Sequence, residues 1–139
     1  MKLKNKSKNL LIFAHPDDEI LGMGGFITKN INKFFFKVIF IAEGSSCRFS
    51  ENESNSEKVL NSIKLRNKMA VNSLKFLGIK NIAFYDLQKV MGGFGSINKW
   101  FSKGLTSKDK LHLNRAGYEL QGLLLYEALM FEYKKYDSH

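Results

Sequence analysis

Three short apolar runs, separated by stretches with helical spacing, constrain the fold of this 139-residue chain more than any other feature. The runs are NLLIFA (9–14), KVIFIA (37–42) and NIAFYDL (81–87). Continuous apolar runs of this length are typical of strands buried on both faces of a parallel sheet. Strands that alternate with helices predict an α/β fold, in which sites lie beyond the carboxyl ends of the strands.

Two long segments have the spacing of helices. In SEKVLNSIKLRNKMAVNSLKFLG (56–78), apolar residues recur at steps of three and four, which predicts a long amphipathic helix that ends near Gly78. A last helix is predicted from about Arg115 to Tyr133. The chain length is close to the usual size of one domain. We therefore expect a single α/β domain over residues 1–139, folded as a three-layer sandwich around a mostly parallel, Rossmann-like sheet.

Two shorter segments also favour helices. EILGMGGFITKNINK (19–33) has apolar residues near helical spacing, although its three glycines weaken the first turns. INKWFSKG (97–104) predicts a short helix after a glycine-rich loop.

The composition bounds the environment and the partners of the chain. Its net charge of +9 suggests nucleic-acid binding, but 19 of its 22 basic residues are scattered lysines, whereas base and phosphate recognition favours arginine. We interpret the charge as a solvated basic surface. No run approaches the roughly 20 apolar residues of a membrane helix, and the single Cys47 cannot form an internal disulfide. We expect a cytoplasmic protein that binds neither nucleic acid nor membranes; the sequence does not predict its oligomeric state.

The motif AHPDDE (14–19) places three chemically active side chains at the end of the first predicted strand. An imidazole and a carboxylate both suit zinc, so His15 and Asp18 can share one cation. Asp17 would then be free to accept a proton from a water. The residues alone leave an alternative open, in which Asp17 or Asp18 caps the following helix.

The longer stretch AHPDDEILGMGG (14–25) resembles the signature of the PIG-L/LmbE family of zinc-dependent de-N-acetylases. KVIFIAEGSSCR and LRNKMAVNSLKFLGIKNIAFYDL are similar to that family's second strand, long helix and third strand, so the resemblance covers about residues 8–87. It implies that His15 and Asp18 bind zinc (Zn²⁺) and that Asp17 is the general base. The implied reaction is attack of a zinc-bound water on the acetamide of a small-molecule N-acetylated sugar or sugar conjugate.

The chain departs from this family pattern at three places. Met69 stands where the family often has a glutamate three residues after the helix arginine, here Arg66. Gln88 and Lys89 stand where an aspartate-asparagine pair usually follows the third strand. The chain also has no His-Pro-Asp-His motif, which in the family normally supplies the third zinc ligand.

The tail has a different likeness. Residues 82–130 include MGGFGSINKWFSKGLTSKDKLHLNRAGYELQGLLLYEAL, which resembles the C-terminal end of SGNH (GDSL-like) hydrolases. Asp109 and His112 match their Asp-x-x-His block, which implies that His112 is the base of an ester hydrolase and that Asp109 orients it. No Gly-Asp-Ser nucleophile block is recognisable. Residues 1–87 are thus interpreted as a PIG-L/LmbE-like part and residues 88–139 as an SGNH-like tail.

His112 therefore has three possible roles. It can be the third zinc ligand, the catalytic base paired with Asp109, or a simple residue at the start of the last helix. The main hypothesis is a zinc-dependent hydrolase that removes an N-acetyl group from a sugar or a related amide. The alternatives are an SGNH-type ester hydrolase or remnant, and an inactive metal-binding α/β protein.

Overall fold

The computed structural model of the protein describes residues 6–50, 53, 56–93, 95–110 and 112–137. It divides the chain into two compact units, Met1–Leu87 and Gln88–His139, and each is described by itself. The strands are β1 (Ser7–Phe13), β2 (Phe34–Phe40) and β3 (Asn81–Phe84). The helices are α1 (Asp18–Leu21), α2 (Gly24–Asn30), α3 (Glu57–Phe76), α4 (Leu87–Val90), α5 (Ser96–Ser102) and α6 (Arg115–Asp137), with a 3₁₀ turn at Ser46–Arg48.

The first unit contains a three-stranded parallel sheet in the order β1-β2-β3. The register pairs Phe13 with Phe40 and Val38 with Ile82. Each of the three predicted strands is present, and parallel strands with connecting helices confirm the α/β class. Both connections step across the sheet in the same direction. Because such crossovers are right-handed, they place their helices on the same face.

The hydrophobic core lies on that one face. Phe36, Val38 and Phe40 alternate along β2 and pack with Ile27 of α2 and Leu74 of α3. On the opposite face, Leu10 and Ile12 of β1 are each 50% exposed. The described residues of this unit therefore form two layers, a sheet and its helices, and the third layer of the predicted sandwich stays a prediction.

The long helix α3 forms as its sequence predicts. Ser56 precedes it, and the Ser56 side chain accepts a hydrogen bond from the Val59 N–H. Gly78 follows its end with φ +87°, the left-handed conformation that glycine supplies at helix C-termini. The segment after β1 is instead divided into two short helices, α1 and α2. The division falls at residues 22–23, beside the glycines that weaken helical propensity.

The second unit is built around α5 and α6. Thr106 and Leu113 form an antiparallel bridge that closes the loop between these helices. Asn114 precedes α6 and accepts a hydrogen bond from the Gly117 N–H, which caps the helix. The predicted start of the last helix at Arg115 is confirmed. Among the described residues, no helix is long and apolar enough to cross a membrane.

Candidate active site

The predicted site residues of the first unit lie where β1 and β2 end. Residues 14–17 follow β1 and residues 41–46 follow β2. The two segments run side by side, because the Ile41 N–H donates to Phe13 O at 3.0 Å and the Ala42 N–H donates to Ala14 O at 2.9 Å. The carboxyl edge of the sheet thus brings the AHPDDE motif against the loop after β2, as expected for a parallel sheet.

His15 and Asp18 lie together at this edge. His15 Nδ1 is 3.8 Å from Asp18 Oδ2, and the same oxygen accepts the His15 N–H at 2.8 Å. Their side chains are 45% and 43% exposed, so both are open to solvent on one side. This pair has the geometry of two side chains that could approach one cation.

Asp17 has a different partner from its neighbour Asp18. Arg66 Nη2 donates to Asp17 Oδ2 at 2.6 Å. Asp17 has φ 143°, an uncommon conformation for a residue other than glycine. It precedes α1 but makes no side-chain capping hydrogen bond to that helix. Asp17 therefore does not cap α1 through its side chain, whereas the alternative role of Asp18 at the start of that helix stays a prediction.

The site includes Arg66, whose side chain is 17% exposed. Its Nε donates to Pro16 O at 2.7 Å and its Nη1 donates to Gly44 O at 2.5 Å. The guanidinium therefore contacts the loops after both β1 and β2. Sequence reasoning did not assign Arg66 to the site. One available signal is its place on the apolar face of α3, four residues before Ala70 and eight before Leu74, where a charge needs a partner.

Gly44 lies directly against the ring of His15. It has φ +63°, and a Cβ built on it would stand 2.6 Å from His15 Cδ2 and 2.9 Å from Arg66 Nη1. No side chain fits at that distance. The next turn is closed by Glu43, whose carboxylate accepts the N–H groups of Ser45 and Ser46. The loop after β2 is thus fixed close to the imidazole.

Glu19, also missed by sequence reasoning, is buried beneath the motif. It is 1% exposed, and its Oε2 accepts the Asp17 N–H at 2.8 Å. Burial raises the pKa of the Glu19 carboxyl above its ordinary value. Asp17 is thus held at its backbone N–H by Glu19 and at its carboxylate by Arg66. The sequence offers one signal for this residue: Glu19 is the third acidic residue of the motif. It lies in the short helix α1, where its side chain is buried.

A cavity of about 430 Å³ opens beside Asp17, between α1 and α3. The volume lies within the usual range for small-molecule sites. Its lining is mixed: Asp17, Arg66 and Arg48 are charged, whereas Leu65 and Met69 are apolar. The departure from the family pattern at Met69 therefore places an apolar side chain in the wall of this cavity.

Asp109 and His112 form a close pair in the second unit. His112 Nδ1 is 2.7 Å from Asp109 Oδ2, and the His112 N–H donates to Asp109 Oδ1 at 3.1 Å. The His112 side chain is 72% exposed, and the Asp109 side chain is 45% exposed. A catalytic role for this pair stays a prediction, and so does a role for His112 as third zinc ligand. Within the ranges that the structure describes, no group of three or more His, Cys, Asp or Glu residues could hold a metal ion.

Comparison with known proteins tests the two resemblances. The family PIG-L, described as GlcNAc-PI de-N-acetylase, matches residues 10–110. A solved structure of N,N'-diacetylchitobiose deacetylase from Pyrococcus horikoshii, in complex with the inhibitor MPG, is 26% identical with a TM-score of 0.46. That similarity covers 60% of this chain and 30% of the deacetylase chain. No curated protein matches.

The family match clarifies the organisation of the chain. It continues through residue 110, beyond the predicted limit at residue 87 and into the segment predicted to be SGNH-like. No similar protein supports the SGNH-like tail, which stays a prediction. The match covers more than two thirds of the 139 residues and includes the motif that contains His15, Asp17 and Asp18. The chain belongs to the PIG-L family.

Proposed function

We propose that this protein is a metal-dependent de-N-acetylase that hydrolyses the N-acetyl group of a small-molecule sugar or sugar conjugate. The observation that carries the proposal is the separation of the two neighbouring carboxylates: Asp18 faces His15, whereas Asp17 faces Arg66. Hydrolysis of an amide with bound metal needs both a ligand set and a separate base. Membership in a family described as GlcNAc-PI de-N-acetylase supports an acetylated amino sugar as substrate.

The donor atoms of His15 and Asp18 fit zinc as two of its ligands. Zinc–ligand bonds of about 2.0–2.2 Å at tetrahedral angles put two ligand atoms roughly 3.4 Å apart. The observed 3.8 Å between Nδ1 and Oδ2 is close to that separation. A catalytic zinc site normally has three protein ligands, and the role of His112 as the third stays a prediction. When bound, zinc would polarise a water and the acetamide carbonyl.

Asp17 is suited to take the proton of the attacking water. Its Oδ2 is held by Arg66, whereas Oδ1 has no hydrogen-bond partner among the described residues. One oxygen is therefore anchored and the other remains available to accept a proton. The reaction consumes one water, breaks the amide C–N bond, and yields acetate and a free amine that receives the transferred proton.

The cavity beside Asp17 is the proposed place of the sugar. It borders the proposed base, and its volume of about 430 Å³ accommodates a small ligand. Arg48 offers hydrogen-bond donors to hydroxyl groups, and Leu65 offers an apolar surface to the face of a sugar ring. The lining supports a small-molecule substrate.

The test is zinc content together with acetate release from N-acetylglucosamine conjugates. Asp17→Asn should keep its zinc and lose about 10²–10⁴ in kcat, because general-base catalysis contributes that much. His15→Ala should lose zinc. Glu57→Gln, which changes an exposed carboxylate in the first turn of α3, should match the wild type. Full activity of Asp17→Asn would contradict the proposal. So would a wild-type protein that contains no zinc and has the same activity as His15→Ala.

The Asp109–His112 pair favours a second candidate, an SGNH-type ester hydrolase. Its 2.7 Å contact between Nδ1 and a carboxylate oxygen is the contact by which an aspartate orients a catalytic histidine. Ester hydrolysis that survives a chelator and falls in Asp109→Ala would support this candidate. Bound zinc without hydrolysis of amides or esters would instead indicate an inactive metal-binding protein.

A further inference from the structure

We propose that Arg66 is a positioning residue that fixes the base Asp17 and the zinc ligand His15 relative to each other. This inference rests on the proposed function. It concerns a residue whose side chain bonds to both loops of the site.

The guanidinium joins three separate acceptors. Nη2 binds the Asp17 carboxylate, Nε binds the Pro16 carbonyl, and Nη1 binds the Gly44 carbonyl. The first two acceptors belong to the loop after β1, and the third belongs to the loop after β2. The planar fork of arginine presents these donors in fixed directions, whereas the ammonium of lysine is a compact point charge. Three directed bonds define where Asp17 lies relative to Gly44.

The contact at Gly44 extends this control to His15. Gly44 approaches the imidazole so closely that a Cβ would stand 2.6 Å from Cδ2 and 2.9 Å from Cγ. A shift of this loop would therefore change the space in which the His15 ring lies. Because Arg66 holds the Gly44 carbonyl, its loss should disturb the zinc ligand as well as the base.

A competing role for Arg66 is direct binding of substrate, since it also lines the cavity. The two roles predict different kinetics. Loss of a substrate contact raises KM and leaves the affinity of the substrate-free protein for zinc unchanged. Loss of a positioning residue lowers zinc affinity and kcat, and residues that orient metal ligands typically contribute 10–100-fold to affinity or activity.

The experiment compares Arg66→Lys and Arg66→Ala with the wild type. The control is Lys68→Met, which removes an exposed positive charge from the same helix. Zinc affinity is measured by competition with a chromophoric chelator, and kcat and KM are measured separately with the acetylated sugar. We expect both Arg66 variants to lose about 10–100-fold in zinc affinity and kcat without a rise in KM. We also expect added guanidinium to restore part of the kcat of Arg66→Ala. The inference would be overturned if the Arg66 variants had a raised KM but the same zinc affinity and kcat as Lys68→Met.

Amide hydrogen exchange separates this inference from the proposed function. If the wild type binds no zinc and hydrolyses nothing, the proposed function fails, but the exchange rates of residues 14–18 and 42–46 still report the two loops. Faster exchange in Arg66→Lys than in Lys68→Met supports positioning, and equal exchange overturns it. Arg66→Lys keeps the charge, so it also serves if Arg66→Ala does not fold.

Discussion

Two adjacent aspartates with identical side chains make different contacts because their backbones differ. Asp17 has φ 143°, whereas Asp18 begins α1. Uncommon conformations of this kind cost about 1–3 kcal/mol and persist where surrounding contacts impose them. Here Glu19 holds the Asp17 N–H and Arg66 holds the Asp17 carboxylate. The motif thus uses backbone strain to point one carboxylate at His15 and the other at Arg66.

The sequence predicts which residues belong to the candidate site better than it predicts the contacts that they make. His15, Asp17 and Asp18 are identifiable because adjacent charges at a strand end contribute nothing to a core. Arg66 and Asp17 are in contact but lie 49 positions apart in the sequence, so no local pattern reveals their contact. The φ of Asp17 is equally hidden, because it depends on acceptors that only the folded chain brings into place.

Gly44 provides a prediction at the scale of one residue. Gly44→Ala should lose more folding free energy than Gly104→Ala. Both glycines have positive φ, +63° and +69°, where an L-residue costs roughly 1–2 kcal/mol. A Cβ on Gly104 meets no atom within 4 Å, whereas a Cβ on Gly44 meets His15 at 2.6 Å. Overpacking should add about 1–3 kcal/mol in Gly44→Ala.

Urea denaturation of the two variants checks this difference. Zinc competition should also show weaker binding only for Gly44→Ala, because only that substitution displaces the His15 ring. Equal losses of stability in the two variants would show that the close approach of Gly44 to the imidazole is not needed for folding.

At the scale of elements, α3 connects the core to the site. Arg66, Ala70 and Leu74 are spaced by four, so they lie on the same face of the helix. Ala70 and Leu74 are buried against the sheet, and Arg66 reaches the loops at the strand ends. The apolar spacing predicts this helix and its buried face. It does not predict the division of the first helical segment, where glycines and the AHPDDE turn override a weak helical pattern.

The anchoring of α3 gives the second prediction. Leu74→Ala should lower the free energy of unfolding by about 2–5 kcal/mol, because Leu74 is fully buried and truncation leaves a cavity. Phe76→Ala, two residues further on the same helix, should stay within about 0.5 kcal/mol, because Phe76 is 91% exposed. Chemical denaturation measures both values. A large loss in Phe76→Ala would indicate that another surface covers this part of α3.

At the scale of the whole molecule, the family pattern and the structure divide the chain differently. The structure separates Met1–Leu87 from Gln88–His139, whereas the PIG-L match continues to residue 110. The parallel sheet and the loops at its carboxyl edge follow from apolar runs within residues 1–87. The role of the remainder does not follow, because its two marked residues, Asp109 and His112, fit more than one chemistry. The role of His112 therefore needs an experiment of its own.

Our last prediction concerns the third zinc ligand. Loss of a residue that only orients a ligand typically weakens metal binding roughly tenfold or more. If His112 is itself a ligand, His112→Ala should weaken zinc binding by at least that amount. Asp109 contacts His112 Nδ1 at 2.7 Å, so Asp109→Ala should weaken zinc binding less, through loss of orientation alone. Asp17→Asn should leave zinc affinity near that of the wild type. The chelator competition used for Arg66 ranks these variants directly. Unchanged zinc affinity in His112→Ala would exclude it as a ligand and leave its pairing with Asp109, and thus ester hydrolysis, as the function to test in that unit.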